Sequence, residues 1–212
     1  MIALLLSRDV VGIPVYRTAF YIPSITPLVA ASVLWRWLLN GRFGLVNILL
    51  SYFGITGPSW LNDPRWAKLG IVLMNIWALG ENMIIYLAAL KGIPVQLYEA
   101  ADVDGASSTT KFFRITLPLI TPSLFFTFIM NTIDSLKIFS QAYIMTGGGP
   151  VNSTLFYVYY LFNNAFRFFK MGYASAMAWL LFAIILVLTL FQFWASKRWV
   201  YYESASLDRS EI

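Results

Sequence analysis

Cysteine and histidine are both absent from the 212 residues. That removes disulfide frameworks, thiolate nucleophiles, the usual zinc ligands and the one side chain that ordinarily titrates near neutral pH. Charge is sparse too, with Asp, Glu, Lys and Arg at 12% against 59% hydrophobic residues. One small core cannot bury that much apolar surface while the remainder covers it, so lipid is the expected solvent. The 15 basic residues outnumber the 10 acidic ones, for a net charge of +5, yet they form no block. A nucleic-acid footprint is therefore missing, and the basic residues are better read as markers of membrane topology.

What is present is a set of long apolar runs. A helix crossing a bilayer needs about 20 predominantly apolar residues, and four segments qualify: about 18–39, 69–90, 115–137 and 174–196. The last is the clearest, being charge-free up to Lys197 and Arg198. The first carries Pro23 and Pro27 early and Trp35 and Trp37 late, where an interfacial aromatic belt would sit. The second contains Glu81, and the third starts near Pro118 and Pro122 and runs on to Asp134 and Lys137. The expected fold is all-α, a polytopic membrane helix bundle of about four crossings joined by loops at 41–67, 91–114 and 140–173.

Four crossings place both chain ends on one side. That side receives Arg8, Arg17, Lys91, Lys111, Arg114, Lys197, Arg198 and Arg209, and the other receives Arg42, Arg65, Lys68, Arg167 and Lys170. The positive-inside rule then puts both ends, and the 91–114 loop, in the cytoplasm.

That loop breaks the greasy pattern with EAADVDGASSTTKFFRITLPL, residues 99–119. Gly92-Ile93-Pro94 predicts a helix start with Pro94 in the first turn, and Gly105 predicts its stop. Leu97, Ala100 and Ala101 share a face by their spacing. A second helix can begin at Ser107 or Ser108 and run toward the membrane. A lipid-surface helix favours Lys and Arg, whereas this one carries Glu99, Asp102 and Asp104, is rich in Ala and ends at Gly, which admits another backbone. Docking into a protein partner is the better reading.

The order Glu99-Ala100-Ala101, Gly105, then Ile115-Thr116-Leu117-Pro118 resembles the EAA loop of membrane subunits of binding-protein-dependent ABC importers. YIPSITPLVAASVLWRWLLN, MTGGGPVNST and MGYASAMAWLLF extend the likeness to carbohydrate-uptake permeases of the maltose, lactose and glycerol-phosphate type. The resemblance implies one permease domain over 1–212 in the bacterial inner membrane, coupled to ATP hydrolysis on a separate cytoplasmic ATPase. Glu99, Ala100, Ala101, Asp104 and Gly105 would form the docking element, and Ile115, Leu117 and Pro118 would join it to the next span. The implied partners are the ABC ATPase subunits, a second permease in a heterodimer, an extracytoplasmic solute-binding protein, a sugar and membrane lipid, with no nucleic acid. No cofactor of its own and no metal are implied, since ATP binds the partner, and the chain is expected not to be an enzyme. Permeases of this group usually have six spans, so the first and most of the second would lie upstream of this sequence. Glycerol phosphate or another small solute is an alternative cargo, and an inactive fragment or a non-transporting membrane scaffold is an alternative role.

Polar residues within the apolar runs are candidates for a lined path, because ionisable groups at membrane depth face a bundle interior or water. Asn75, Asn82 and Tyr86 recur at seven and four, and Thr127, Asn131, Asp134 and Ser135 form a second stripe. Glu81 joins the candidates. Interhelical hydrogen bonds, worth about 0.6 kcal/mol each, account for such stripes equally well. Gly147-Gly148-Gly149-Pro150 lacks the Lys-Ser/Thr of a phosphate loop and reads as a turn.

Overall fold

The computed structural model describes residues 2–7 and 12–201. Its described residues form α-helices, three short π-helical turns and no strands. The helices are α1 (Ile2–Leu6), α2 (Ile13–Ile25), α3 (Leu28–Leu38), α4 (Leu45–Tyr52), α5 (Pro64–Trp77), α6 (Gly80–Lys91), α7 (Val95–Val103), α8 (Ser108–Lys111), α9 (Leu117–Leu136), α10 (Tyr157–Phe162) and α11 (Met171–Ser196). Arg8 and Arg209, counted above for topology, lie outside the described residues.

Among the described residues two helices are long and apolar enough to cross a membrane, α11 and the continuous stretch Ser108–Leu136, and four crossings result if each of two broken pairs counts as one. The expected crossing at 18–39 is broken between α2 and α3, whose axes differ by 99°. Pro27 is the cause: its ring disfavours helical geometry at Thr26 and removes a backbone donor. The expected crossing at 69–90 is interrupted at Ala78-Leu79, between α5 and α6. The expected loops are also more ordered than their composition suggests, since 41–67 holds α4 and 140–173 holds α10.

The described residues group into two compact units. Of the described residues, unit 1 draws on 2–7, 12–19, 81–132 and 186–201, and unit 2 on 20–80 and 133–185.

In unit 2, Leu39, Ile71, Met74, Ala142, Met145 and Tyr159 are buried together. Lipid is as apolar as these side chains, so close packing rather than escape from solvent holds such helices. Trp35 meets Trp77 edge-on at 6.1 Å between centroids. Gly80 serves close approach: a Cβ there would fall 2.1 Å from the Phe20 carbonyl oxygen. Asp63 caps α5 by accepting from the Arg65 N–H at 2.9 Å, with Pro64 in the first turn. The hydrogen bond from the Arg65 side chain, aided by that N–H, holds the Asp63 carboxyl below its ordinary range. Gly147 and Gly148 take φ of 62° and 84°, the turn expected from Gly-Gly-Gly-Pro. It is closed by Thr154, whose Oγ1 donates to the Gly149 carbonyl at 2.8 Å.

In unit 1, Ala3, Leu6 and Met83 are buried against Ile13, Tyr86 and Leu90. Arg17 donates from Nη2 to the Leu6 carbonyl at 2.6 Å, closing the end of α1. Phe125 is buried between Phe193 and Trp199, with centroids at 5.2 and 5.9 Å. Past α11 the backbone turns back so that the Tyr201 N–H donates to Thr121 Oγ1 at 2.9 Å.

Candidate functional site

The 91–119 segment belongs wholly to unit 1. Pro94 stands as the N-cap of α7, one residue before the helix, where its missing N–H costs nothing. The helix closes in a paired C-terminal turn: the Ala106 N–H donates to the Ala101 carbonyl at 2.9 Å, and the Gly105 N–H to the Asp102 carbonyl at 3.0 Å. These are the two bonds of a Schellman motif, which needs a left-handed residue between them, and Gly105 supplies φ of +72°. Open space surrounds it, with no atom of this chain within 4 Å of a Cβ built there.

Ser107 then caps α8, its Oγ accepting from the Thr110 N–H at 3.2 Å. Helix α8 passes through a π-helical turn at Phe112–Thr116 directly into α9, giving 29 continuous helical residues. Ile115 is half-buried in that turn, and Leu117 and Pro118 are half-buried in the first turn of α9.

No residue of α7 is buried. Glu99, Ala100, Asp104 and Gly105 are exposed and Ala101 is half-buried. Of the expected shared face, Leu97 and Ala100 point to open space. Val103 is 89% exposed, a large apolar side chain with nothing over it.

Two side-chain contacts that hold α7 are not visible in the sequence. The Tyr98 hydroxyl and Thr116 Oγ1 lie 2.8 Å apart, with Thr116 buried. Asp102 pairs with Lys111, whose side chain is largely covered while that of Asp102 is open. Both contacts cross the Gly105 turn. The only hint is that Tyr98 sits beside the EAA pattern and Thr116 within it.

Among the candidate path residues, Asn82 Nδ2 donates to Asn131 Oδ1 at 3.4 Å, joining α6 to α9 within unit 1. The Tyr86 hydroxyl lies 2.5 Å from Thr127 Oγ1. Thr127 directs its own hydrogen to the carbonyls of Ser123 and Leu124, so Tyr86 is the donor. Asn75 donates instead to the Ile71 carbonyl of its own helix at 3.1 Å. The break at 78–79 separates Asn75 from Asn82, so their seven-residue spacing does not run along one helix. Glu81 is exposed in the first turn of α6, where the helix dipole favours an acid. Asp134 is exposed and pairs with Lys137 at 3.4 Å along α9.

Unit 1 also holds a groove of about 440 Å³, lined by Tyr86, Leu124, Phe128, Asn131 and Trp199. Trp199 had no place among the sequence candidates, because it follows the last apolar run and reaches α9 only through the turn after α11.

Comparison with known proteins places this arrangement. Residues 3–201 match the family described as the binding-protein-dependent transport system inner membrane component. The chain is 44% identical to the probable ABC transporter permease protein YesP of Bacillus subtilis, over 96% of this chain and 67% of YesP. It is 41% identical to the sulfoquinovosyl glycerol transport system permease protein SmoG of Agrobacterium fabrum, over 82% of this chain and 56% of SmoG. The fold is similar to a chain in the crystal structure of a bacterial alginate ABC transporter in complex with alginate pentasaccharide-bound periplasmic protein. That likeness has a TM-score of 0.83 and 28% identity, over 92% of this chain and 69% of the other. This sequence thus spans between about half and about two thirds of the length of these relatives. With a family match over nearly all of its residues, the chain belongs to the inner membrane components of binding-protein-dependent transport systems.

Proposed function

We propose that this chain acts as a permease subunit of an ABC importer for sugars, coupling ATP hydrolysis on a partner ATPase to alternating access in the membrane. The observation that carries this reading is α7: a short helix fixed at both ends, with no buried residue and an acidic, Ala-rich exposed surface. A helix held in that way, at the root of an unbroken 29-residue helix, suits a docking element. In this reading Glu99, Ala100, Ala101, Asp104 and Gly105 seat in the ATPase, and Ile115, Leu117 and Pro118 carry the movement into α9. ATP belongs to the ATPase, and the chain itself catalyses nothing and holds no cofactor. Both chain ends and α7 face the cytoplasm, a second permease completes the membrane portion, and an extracytoplasmic binding protein delivers the sugar.

A carbohydrate cargo is supported by the names of SmoG and of the alginate transporter. Asn82, Tyr86 and Asn131 fit a sugar path, because amides and a phenol match hydroxyl groups. Glu81 and Asp134, exposed near the helix breaks and ends, belong to the same path as carboxylates able to accept from sugar hydroxyls. Asn75, bonded to its own helix, is assigned to it by position alone.

The test is uptake by the full transporter, reconstituted in liposomes with its ATPase, second permease and binding protein. ATP-dependent accumulation of a member of a panel of maltose, lactose, trehalose and an alginate oligosaccharide is expected. Accumulation of glycerol 3-phosphate in place of every sugar would overturn the cargo, and no ATP-dependent accumulation at all would overturn the importer role.

A further inference from the structure

The groove of unit 1 combines groups that no helix contact uses. The indole N–H of Trp199 and the side-chain N–H₂ of Asn131 donate no hydrogen bond among the described residues, while the Asn131 oxygen is taken by Asn82. Leu124 and Phe128 supply an apolar wall. Trp199 is fixed rather than loose. Its ring stands perpendicular to Phe125, its backbone N–H donates to the Ser196 carbonyl at 3.0 Å, and two residues on the backbone is tied to Thr121. Trp199 as a whole remains 45% exposed.

This chemistry selects among occupants. A lipid tail would fill the wall but leave two N–H donors dry and unpaired, at a cost. A phosphate ester would find no cation on the lining, and the neighbouring Arg198 is engaged over the Trp194 ring at 5.2 Å. A sugar offers both parts, an apolar ring face for an indole and hydroxyl oxygens for the donors. The volume of about 440 Å³ lies within the range of small-molecule sites. Leu124 and Asn131 are two turns apart on α9, roughly 10 Å, which gives room for two linked rings. The Leu124 end is the one nearer the start of α9, where the coupling segment enters.

We propose that this groove is a carbohydrate exit site at the coupling-loop end of the path, in which Trp199 stacks on a sugar ring before release. The assignment rests on the sugar-importer reading above. It is tested in the full transporter with Leu124→Cys, the only cysteine in an otherwise Cys-free chain, using as probe whichever panel sugar the uptake assay accumulates. That sugar, added on the ATPase side, is expected to slow maleimide labelling of Leu124→Cys while leaving Lys91→Cys, exposed at the end of α6, unaffected. Trp199→Ala should raise the half-protecting concentration about tenfold, equivalent to 1.4 kcal/mol, and Trp199→Phe should retain most of the protection. Labelling that the transported sugar leaves unchanged, or protection that survives Trp199→Ala intact, overturns the exit site and leaves the importer reading standing. If no panel sugar is accumulated, the importer reading fails first and the exit site falls with it.

Discussion

Gly105→Ala, Gly105→Asn and Gly105→Trp form a series that separates two reasons for a glycine in the coupling loop. Gly105 sits at φ of +72°, and a Cβ there meets no atom of this chain within 4 Å. Within the chain the cost is therefore purely conformational. For alanine it is about 1 kcal/mol, since a Cβ in the left-handed region approaches the following carbonyl. Asparagine tolerates that region better and should cost a few tenths. Tryptophan should match alanine, because its ring has free space to occupy. A loss of about 1 kcal/mol is roughly fivefold in an equilibrium, here the fraction of α7 that keeps its closing turn. If α7 docks through a turn that the ATPase covers, binding gains a second dependence, on side-chain size, that the isolated permease lacks. The assay is titration of the ATPase against permease in nanodiscs, with thermal unfolding of each variant alone as the companion measurement. The expected pattern is stability of Gly, Asn, Ala and Trp variants within about 1 kcal/mol, with ATPase affinity falling about fivefold for Ala and far more for Trp. Equal ATPase binding by all four would refute docking through this turn. An equal loss for Ala and Trp would refute close cover of Gly105 while leaving the turn itself necessary.

The remaining predictions concern what holds each unit. Gly80→Ala places a methyl 2.1 Å from the Phe20 carbonyl oxygen, a backbone atom that cannot rotate away. It should lower stability by about 1–3 kcal/mol, read as the midpoint of thermal unfolding in detergent, and an unchanged midpoint would show that the two helices do not meet there. Tyr98→Phe removes the 2.8 Å contact to buried Thr116 and should cost about 1 kcal/mol, seen as faster hydrogen exchange across 95–103. Exchange at the wild-type rate would mean that the contact does not hold α7.

Local chemistry was legible in the sequence, and tertiary contact was not. Gly105 as a helix stop and a second helix beginning at Ser107 or Ser108 follow from the conformational freedom of one residue and the hydroxyls of the others, and the structure resolves the second by making Ser107 the cap of a helix that starts at Ser108. The charge-free run ending at Lys197 gives α11, because length and hydropathy suffice for an uninterrupted helix. The same hydropathy fails at Thr26-Pro27 and Ala78-Leu79, since it measures transfer into lipid and is blind to the direction of the helix axis. Pro27 was visible but read as a residue near a span's start; the structure makes it the point of a 99° turn. The Asn75–Asn82 stripe failed for the same reason, because a period of seven presumes one helix. Tyr98 with Thr116, Asp102 with Lys111, and Trp199 against Phe125 depend on how segments fold back, which no spacing encodes.

These contacts also bear on how a force on α7 would travel. Four side-chain or backbone links in unit 1, from Tyr98 to Thr116, Tyr201 to Thr121, Tyr86 to Thr127 and Gln192 to Thr132, end on a threonine. All four threonines lie on the continuous helix that begins at Ser108. Over 29 residues such a helix spans roughly 43 Å; Pro122 removes one backbone bond inside it, but Thr121 Oγ1 donates to the Pro118 carbonyl so freed at 2.6 Å, and the helix stays continuous. Asp102–Lys111 and the Schellman turn fix α7 to the start of that rod. In the proposed importer, then, movement of α7 reaches Tyr86 and Trp199 through their shared attachment to one helix. The π-helical turn at Phe112–Thr116 carries Ile115 and Thr116 and so lies at the point where docking ends and the strut begins.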